Sequence, residues 1–166
     1  MATSLSAMLH IEAKATLTAT TPHTGDVRED LENASGGTRW TQGTASGQVG
    51  KVYRKNGSLS AGATDSFNLL AAGALEDVYG QTIDADELKG LVIKVTSGAV
   101  TLNAPAADFL PIFADASDLI KLQNGTTMAF DWGAGGLSLG TSAKFDLTET
   151  TGAATATYEL WLVVAE

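Results

Sequence analysis

The stretch from Gly57 to Leu102 sets short apolar patterns of period two between turn residues, and no other feature restricts the fold so tightly. In Thr64-Asp65-Ser66-Phe67-Asn68-Leu69-Leu70, Phe67 and Leu69 alternate with Ser66 and Asn68, the pattern of a half-buried strand. Leu75, Val78 and Tyr79 follow at i, i+3 and i+4, which predicts one helical turn stopped by Gly80. Leu91, Ile93 and Val95 alternate with Val92 and Lys94 in a second strand. Thr96-Ser97-Gly98-Ala99 then predicts a hairpin into Val100-Thr101-Leu102. These are packing and turn signals, and none of them carries chemistry.

The same reading extends in both directions. Residues 8–19 alternate Leu9, Ile11, Ala13, Ala15, Leu17 and Ala19 with His10, Glu12, Lys14, Thr16 and Thr18, a long strand with a wet outer face. Lys51-Val52-Tyr53-Arg54-Lys55 predicts a strand ended by the turn pair Asn56-Gly57. Pro105 and Pro111 hold Asp108-Phe109-Leu110 in an extended connection outside any central strand. Leu119–Leu122, Met128–Trp132, Leu137–Leu139, Ala143–Leu147 and Ala154–Val164 complete the strands, with Asn124-Gly125 as a turn and Gly133–Gly136 as a flexible loop. About ten short strands with closely spaced turns predict an all-β chain, an antiparallel β-sandwich of jelly-roll type with one short helical turn.

Residues 20–50 stand apart. They are rich in Thr, Gly, Ser, Gln and Asp, with Val27, Leu31, Trp40 and Val49 as the only large apolar side chains. A link of roughly thirty residues far exceeds the usual four to six. Within it, Asp26–Glu32 is consistent with a helical turn or two. The chain thus reads as a single domain, 1–166, with 20–50 either an arm reaching a neighbour or a long loop packed across its own sandwich. In the arm reading Val27, Leu31 and Trp40 are the anchors, and Arg28 and Arg39 pair with acidic groups.

The final strand supplies a second candidate surface. Tyr158, Leu160, Leu162 and Val164 make one face, and Trp161, Val163 and Ala165 the other. A strand apolar on both faces is covered on both. The second cover comes from the 20–50 segment or from another subunit, with Trp161 and Val163 as interface residues.

The chemistry-bearing inventory is thin. There is no cysteine, which removes thiolate catalysis, disulfides and sulfur-ligated metal together. The two histidines, His10 and His23, lie in no nucleophile motif. Asp84-Asp86-Glu87 and Asp115-Asp118 sit in turns, where aspartate is expected on conformational grounds, and Asp84-Ala85-Asp86-Glu87 lacks the EF-hand spacing. The chain is read as non-enzymatic, without cofactor or metal.

Charge is uneven. Residues 1–55 hold six Lys/Arg and five Asp/Glu, net +1, whereas residues 56–166 hold four and fourteen, net −10. Such a body repels phosphate backbones, so no nucleic-acid partner is expected. Met1-Ala2-Thr3-Ser4 shows no basic region or apolar run, and no stretch approaches a membrane span, so neither a leader nor a membrane is expected.

Leu75 to Gly80, Thr82-Ile83 and Leu88 to Lys94 together resemble a widespread family of small virion proteins of tailed bacteriophages. In these a Ser/Ala-rich lead into a short strand precedes a Leu-Asp-aromatic-Gly turn and an alternating strand closing on Ile-Lys. The likeness continues through Asp115–Asp118 to Thr155–Val164, spanning residues 57–164 and leaving the first third unmatched. The resemblance implies a β-sandwich head or decoration protein with no catalytic residues. It implies a place in the virion after assembly in the host cytoplasm, and the major capsid protein or another virion protein as partner. Homo-oligomerisation is implied too, with a trimer favoured because capsid junctions offer threefold sites. The alternative is a carbohydrate-binding module of a tail or fibre, with Trp40, Trp132, Trp161, Tyr53 and Tyr79 as a stacking platform.

Overall fold

Alternating side chains make strands wherever each face finds a layer, and here the strands find their partners in a nest. The computed structural model describes residues 6–21, 25–43, 45, 47–77, 79–152 and 154–166, with side-chain detail from Thr38 onward. In chain order the strands are β1 (Ser6–Thr21), β2 (Gly25–Gln42), β3 (Gln48–Val49), β4 (Lys51–Leu59), β5 (Thr64–Asn68), β6 (Glu87–Ser97) and β7 (Ala99–Asn103). They continue as β8 (Leu119–Gln123), β9 (Thr127–Asp131), β10 (Leu137–Ser138), β11 (Lys144–Glu149) and β12 (Ala156–Ala165). From β4 on, first pairs with last: β4 with β12, β5 with β11, β6 with β9 and β7 with β8, all antiparallel. Pairing of β12 with β6 and of β11 with β7 then closes two sheets, β9-β6-β12-β4 with β10 added at the end of β6, and β5-β11-β7-β8. A long hairpin rolled up in this way is a jelly roll.

The core is what the two inner faces share. Leu91, Ile93 and Val95 of β6 and Tyr158, Leu160 and Leu162 of β12 meet Phe67, Leu102, Phe145 and Leu147 from the opposite sheet, all essentially without solvent exposure. Phe67 and Phe145 stack at 4.9 Å and 16°. Burying each side chain of this size is worth about 1.5–3 kcal/mol.

Several local expectations are corrected by long-range packing. Asn56-Gly57 is not a turn, because β4 runs straight through it to Leu59. Gly57 lies under the Tyr158 ring, where a Cβ would fall 2.1 Å from Tyr158 Cζ. Gly98 does not join a hairpin either, since β6 and β7 belong to different sheets. It is the corner between them, with φ of 71° and Ala156 Cα 2.9 Å from where a Cβ would stand.

The helical turn at Leu75–Tyr79 is absent. The Asp77 carboxylate accepts from the N–H groups of Tyr79 at 2.9 Å and Gln81 at 2.8 Å. A short polar side chain thus offers the backbone an alternative to helix. The one 3-10 turn among the described residues lies earlier, at Ala71–Gly73, and Val78 is outside the described residues.

Asp26–Glu32 is not helical but part of β2, paired antiparallel with β1 from Thr21↔Gly25 to Ser6↔Thr41. An isolated helical turn is a costly nucleus, whereas β1 presents a ready ladder.

Candidate interaction surfaces

Strands β1 and β2 form a ribbon that joins the sandwich at one end only of its described bonding. By register, Ala7, Leu9, Ile11 and Ala13 stand opposite Trp40, Thr38, Gly36 and Ala34. A bulge then sets two β2 residues, Glu32 and Asn33, against Lys14, and Ala15, Leu17 and Ala19 stand opposite Leu31, Glu29 and Val27. Arg28 stands opposite Thr18, and Arg39 opposite Met8. From Leu9 to Thr21 the ribbon runs for about 40 Å at about 3.3 Å per residue. The side chains of Val27, Arg28 and Leu31 lie outside the described residues, as does His23; Arg39 is exposed.

The root of this ribbon is built from the glycine-rich loop. Trp40 is fully buried and its indole Nε1–H donates to the Gly133 carbonyl at 3.3 Å. The Thr38 N–H donates to Asp131 Oδ2 at 2.8 Å, and Asp131 Oδ1 accepts the Gly133 N–H at 2.8 Å. The Ala134 carbonyl accepts the Gly47 N–H at 3.2 Å and the Lys89 ammonium at 2.7 Å. Among the described residues Lys89 is the buried cation, paired with Glu87. A Cβ on Gly136, whose φ is 66°, would stand 2.8 Å from Lys89 Cδ.

Two expectations change here. Gly133–Gly136 is a specific set of main-chain acceptors rather than a flexible loop. Trp40 anchors the ribbon to its own subunit and is therefore not free to anchor on a neighbour.

Across β4, β12, β6 and β9 the outward positions form rows: Val52, Val163, Gly90 and Asp131, then Arg54, Trp161, Val92 and Ala129. One end of this face is met by the chain's own 38–50 segment, through Thr38 and through the Gly50 N–H, which donates to Val164 O at 2.9 Å. Trp161, Val163, Val92 and Val52 remain half-exposed, and the Arg54 guanidinium lies 5.6 Å from the Trp161 ring centroid. The three tryptophans do not share an exposed platform. Trp40 is buried, and Trp132 stacks on Phe130 at 5.3 Å, half-covered.

The charged clusters are internally engaged. Lys51 donates to Thr82 O at 2.6 Å and pairs with Glu166; Lys55 pairs with Asp65 at 3.0 Å and lies over Phe67. Buried Tyr158 donates to Asp65. Burial, then the bond to Asp65, pushes the Tyr158 phenol above its ordinary range, so it remains a donor. Asp84 accepts from the Ala71 N–H and Asp118 from those of Ala114 and Asp115. Glu149 accepts from the Thr151 hydroxyl and from the N–H groups of Gly62, Thr151 and Gly152, which hold its carboxyl at about 2. These carboxylates fix turns. Among the described residues, no helix is long and apolar enough to cross a membrane.

No family model matches the chain, and no curated protein matches its sequence. Among solved structures it is similar to the Cnp3 cupin domain of Schizosaccharomyces pombe, at 6% identity and a TM-score of 0.36, covering 93% of this chain and 84% of that one. It is also similar to the coat protein of Tobacco streak virus, at 14% identity and a TM-score of 0.31, covering 70% and 88%. A second structure of that coat protein, as a dimer, gives a TM-score of 0.33.

Proposed function

We propose that the protein is a non-enzymatic structural component of a tailed-phage virion, mounted on the capsid exterior. The sandwich covers a junction of the shell, and the β1–β2 ribbon reaches a neighbouring virion protein, the major capsid protein being the partner of choice. The observation that carries this reading is the ribbon itself. It is rooted by Trp40 and Thr38 and continues beyond Thr38 for eleven residue pairs, and the β1 sequence alternates Ala, Leu and Ile with polar residues along it. A two-stranded ribbon is marginal alone, so such a face calls for a surface to lie on. The sequence resemblance over residues 57–164 supports the same reading. The half-exposed row around Trp161 and Val163 serves as a contact between copies, with a trimer favoured. If Trp161 is a central anchor there, Trp161→Ala weakens assembly by more than about 2 kcal/mol.

Shortening the ribbon tests the proposal. Glu12 is joined to Ser35 through Asn-Gly, a two-residue turn that suits the ladder and keeps the Trp40 root. The shortened protein is expected to melt like the full chain yet fail to co-sediment with capsids assembled without the protein. Co-sedimentation equal to that of the full chain would overturn the arm.

A further inference from the structure

The sheet β5-β11-β7-β8 ends at β8, whose outer edge meets no further strand among the described residues. The first three residues of β8 tell how that edge is charged and wetted: Leu119 is 53% exposed, Ile120 37%, and Lys121 is exposed. Leu119 and Ile120 are two of the three exposed large hydrophobic residues among those described. The other sheet's edge at β4 carries Lys51, Arg54 and Lys55, the usual guard against edge-to-edge pairing. In β8 only Lys121 is charged.

The ladder with β7 shows which main-chain groups are free. The Ala104 N–H donates to Asp118 O at 3.3 Å, and the register runs without a break from Asn103↔Leu119 to Ala99↔Gln123. In an antiparallel ladder alternate residues turn their N–H and C=O to one side. Asp118, Ile120 and Leu122 therefore face β7, and Leu119, Lys121 and Gln123 face outward. Gln123 is already engaged, its N–H with Thr126 Oγ1 at 3.3 Å and its carbonyl with the Thr126 N–H at 2.9 Å. Four main-chain groups remain for a partner, those of Leu119 and Lys121.

We infer that β8 pairs antiparallel with β8 of a second copy about a twofold axis at Ile120, joining two four-stranded sheets into one of eight. The partner is a second copy because the strand is its own complement. Two strands related by a twofold axis through the sheet oppose each residue to its own equivalent at the axis. With Ile120 on the axis, Leu119 of each copy forms a hydrogen-bonded pair with Lys121 of the other, and all four free groups are satisfied. With Lys121 on the axis, like charges stand opposite each other and Leu119 is left against the engaged Gln123. With Leu119 on the axis, Lys121 must pair beyond the start of the strand. The favoured register also sets the two Ile120 side chains in a non-hydrogen-bonded pair, the closer of the two antiparallel spacings.

The chain has no cysteine, so single-cysteine variants test this cleanly on the purified protein. Ile120→Cys is expected to form a disulfide-linked dimer under mild oxidation. Lys121→Cys, although exposed, is not, because its two copies stand one residue to either side of the axis, two residues apart along the ladder and beyond the roughly 7 Å Cα separation that a disulfide spans. Ile120→Lys is expected to raise the dimer dissociation constant at least tenfold in sedimentation equilibrium with an unchanged melting temperature. Equal crosslinking at both positions, crosslinking at neither, or unchanged association of Ile120→Lys overturns the inference. The ribbon and Trp161 proposals stand or fall separately, since this experiment uses no capsid, and Trp161→Ala leaves the Ile120 crosslink in place.

Discussion

Sandwich and ribbon are made of the same antiparallel ladder, yet they are held in different ways. In the sandwich β4 pairs with β12 and β5 with β11, so each strand is fixed by residues far along the chain and then sealed by a second layer. In the ribbon β1 pairs with β2, its neighbour in the chain, and among the described residues β2 adds only the two-residue β3. The contrast teaches that hydrogen bonding and independence are separate properties. A ladder satisfies its main chain without a second layer, but it gains a fixed place only where side chains are covered. Among the ribbon's described side chains that place is its root, at Trp40.

The contrast breaks most sharply in the core. Phe145→Ala removes a fully buried ring stacked on Phe67 and is expected to cost about 3–5 kcal/mol in denaturant unfolding of the whole sandwich. Gly57→Ala should cost about 1–3 kcal/mol, because the new methyl meets the Tyr158 ring inside the same core.

A smaller effect separates the regions by pH. Glu149 lies in the sandwich, and its carboxyl is held at about 2, below its ordinary 4.5, mainly by the Thr151 hydroxyl and the Gly62 N–H. A depressed carboxyl contributes its stability fully above the unfolded value and loses it as pH falls through the folded one. The melting temperature is therefore expected to fall between about pH 4.5 and pH 2, and Glu149→Gln should flatten that window. An equally steep fall in the variant would assign the acid sensitivity elsewhere. The smallest effect is expected in the ribbon: Ile11→Ser should change the free subunit's stability by no more than about 0.5 kcal/mol while weakening capsid attachment.

Strands were legible in the sequence where both faces report themselves. Phe67, Leu91 to Val95, and Tyr158 to Val164 lie in strands as their alternation predicts, with Leu69 buried just past the end of β5, and the jelly-roll class follows from their number and spacing. Glycine was legible only as an exception to be explained. Gly57 and Gly98 read as local turns because the causes of their smallness, Tyr158 and Ala156, lie scores of residues away. Gly133–Gly136 read as slack because carbonyl acceptors leave no mark on composition, although Trp40 and Lys89 depend on them. Strand β1 was evident in residues 8–19, but its partner was not. Residues 25–42 lack alternation and carry a bulge, so only the register with β1 reveals them as a strand. Of the candidate interface residues, the outward position of Trp161 and Val163 was visible in the two-sided apolar pattern, while the burial of Trp40 was not.

The most direct test of the account is amide hydrogen exchange followed residue by residue, in the free subunit and on the capsid. Amides of β6 and β12 are expected to be strongly protected in both states. Those of Leu9–Thr21 and Gly25–Gly36 should exchange readily in the free subunit and gain protection on the capsid, with Trp40 at the boundary already protected. Ribbon amides as slow as those of the sandwich in the free subunit, or unchanged on the capsid, would contradict it.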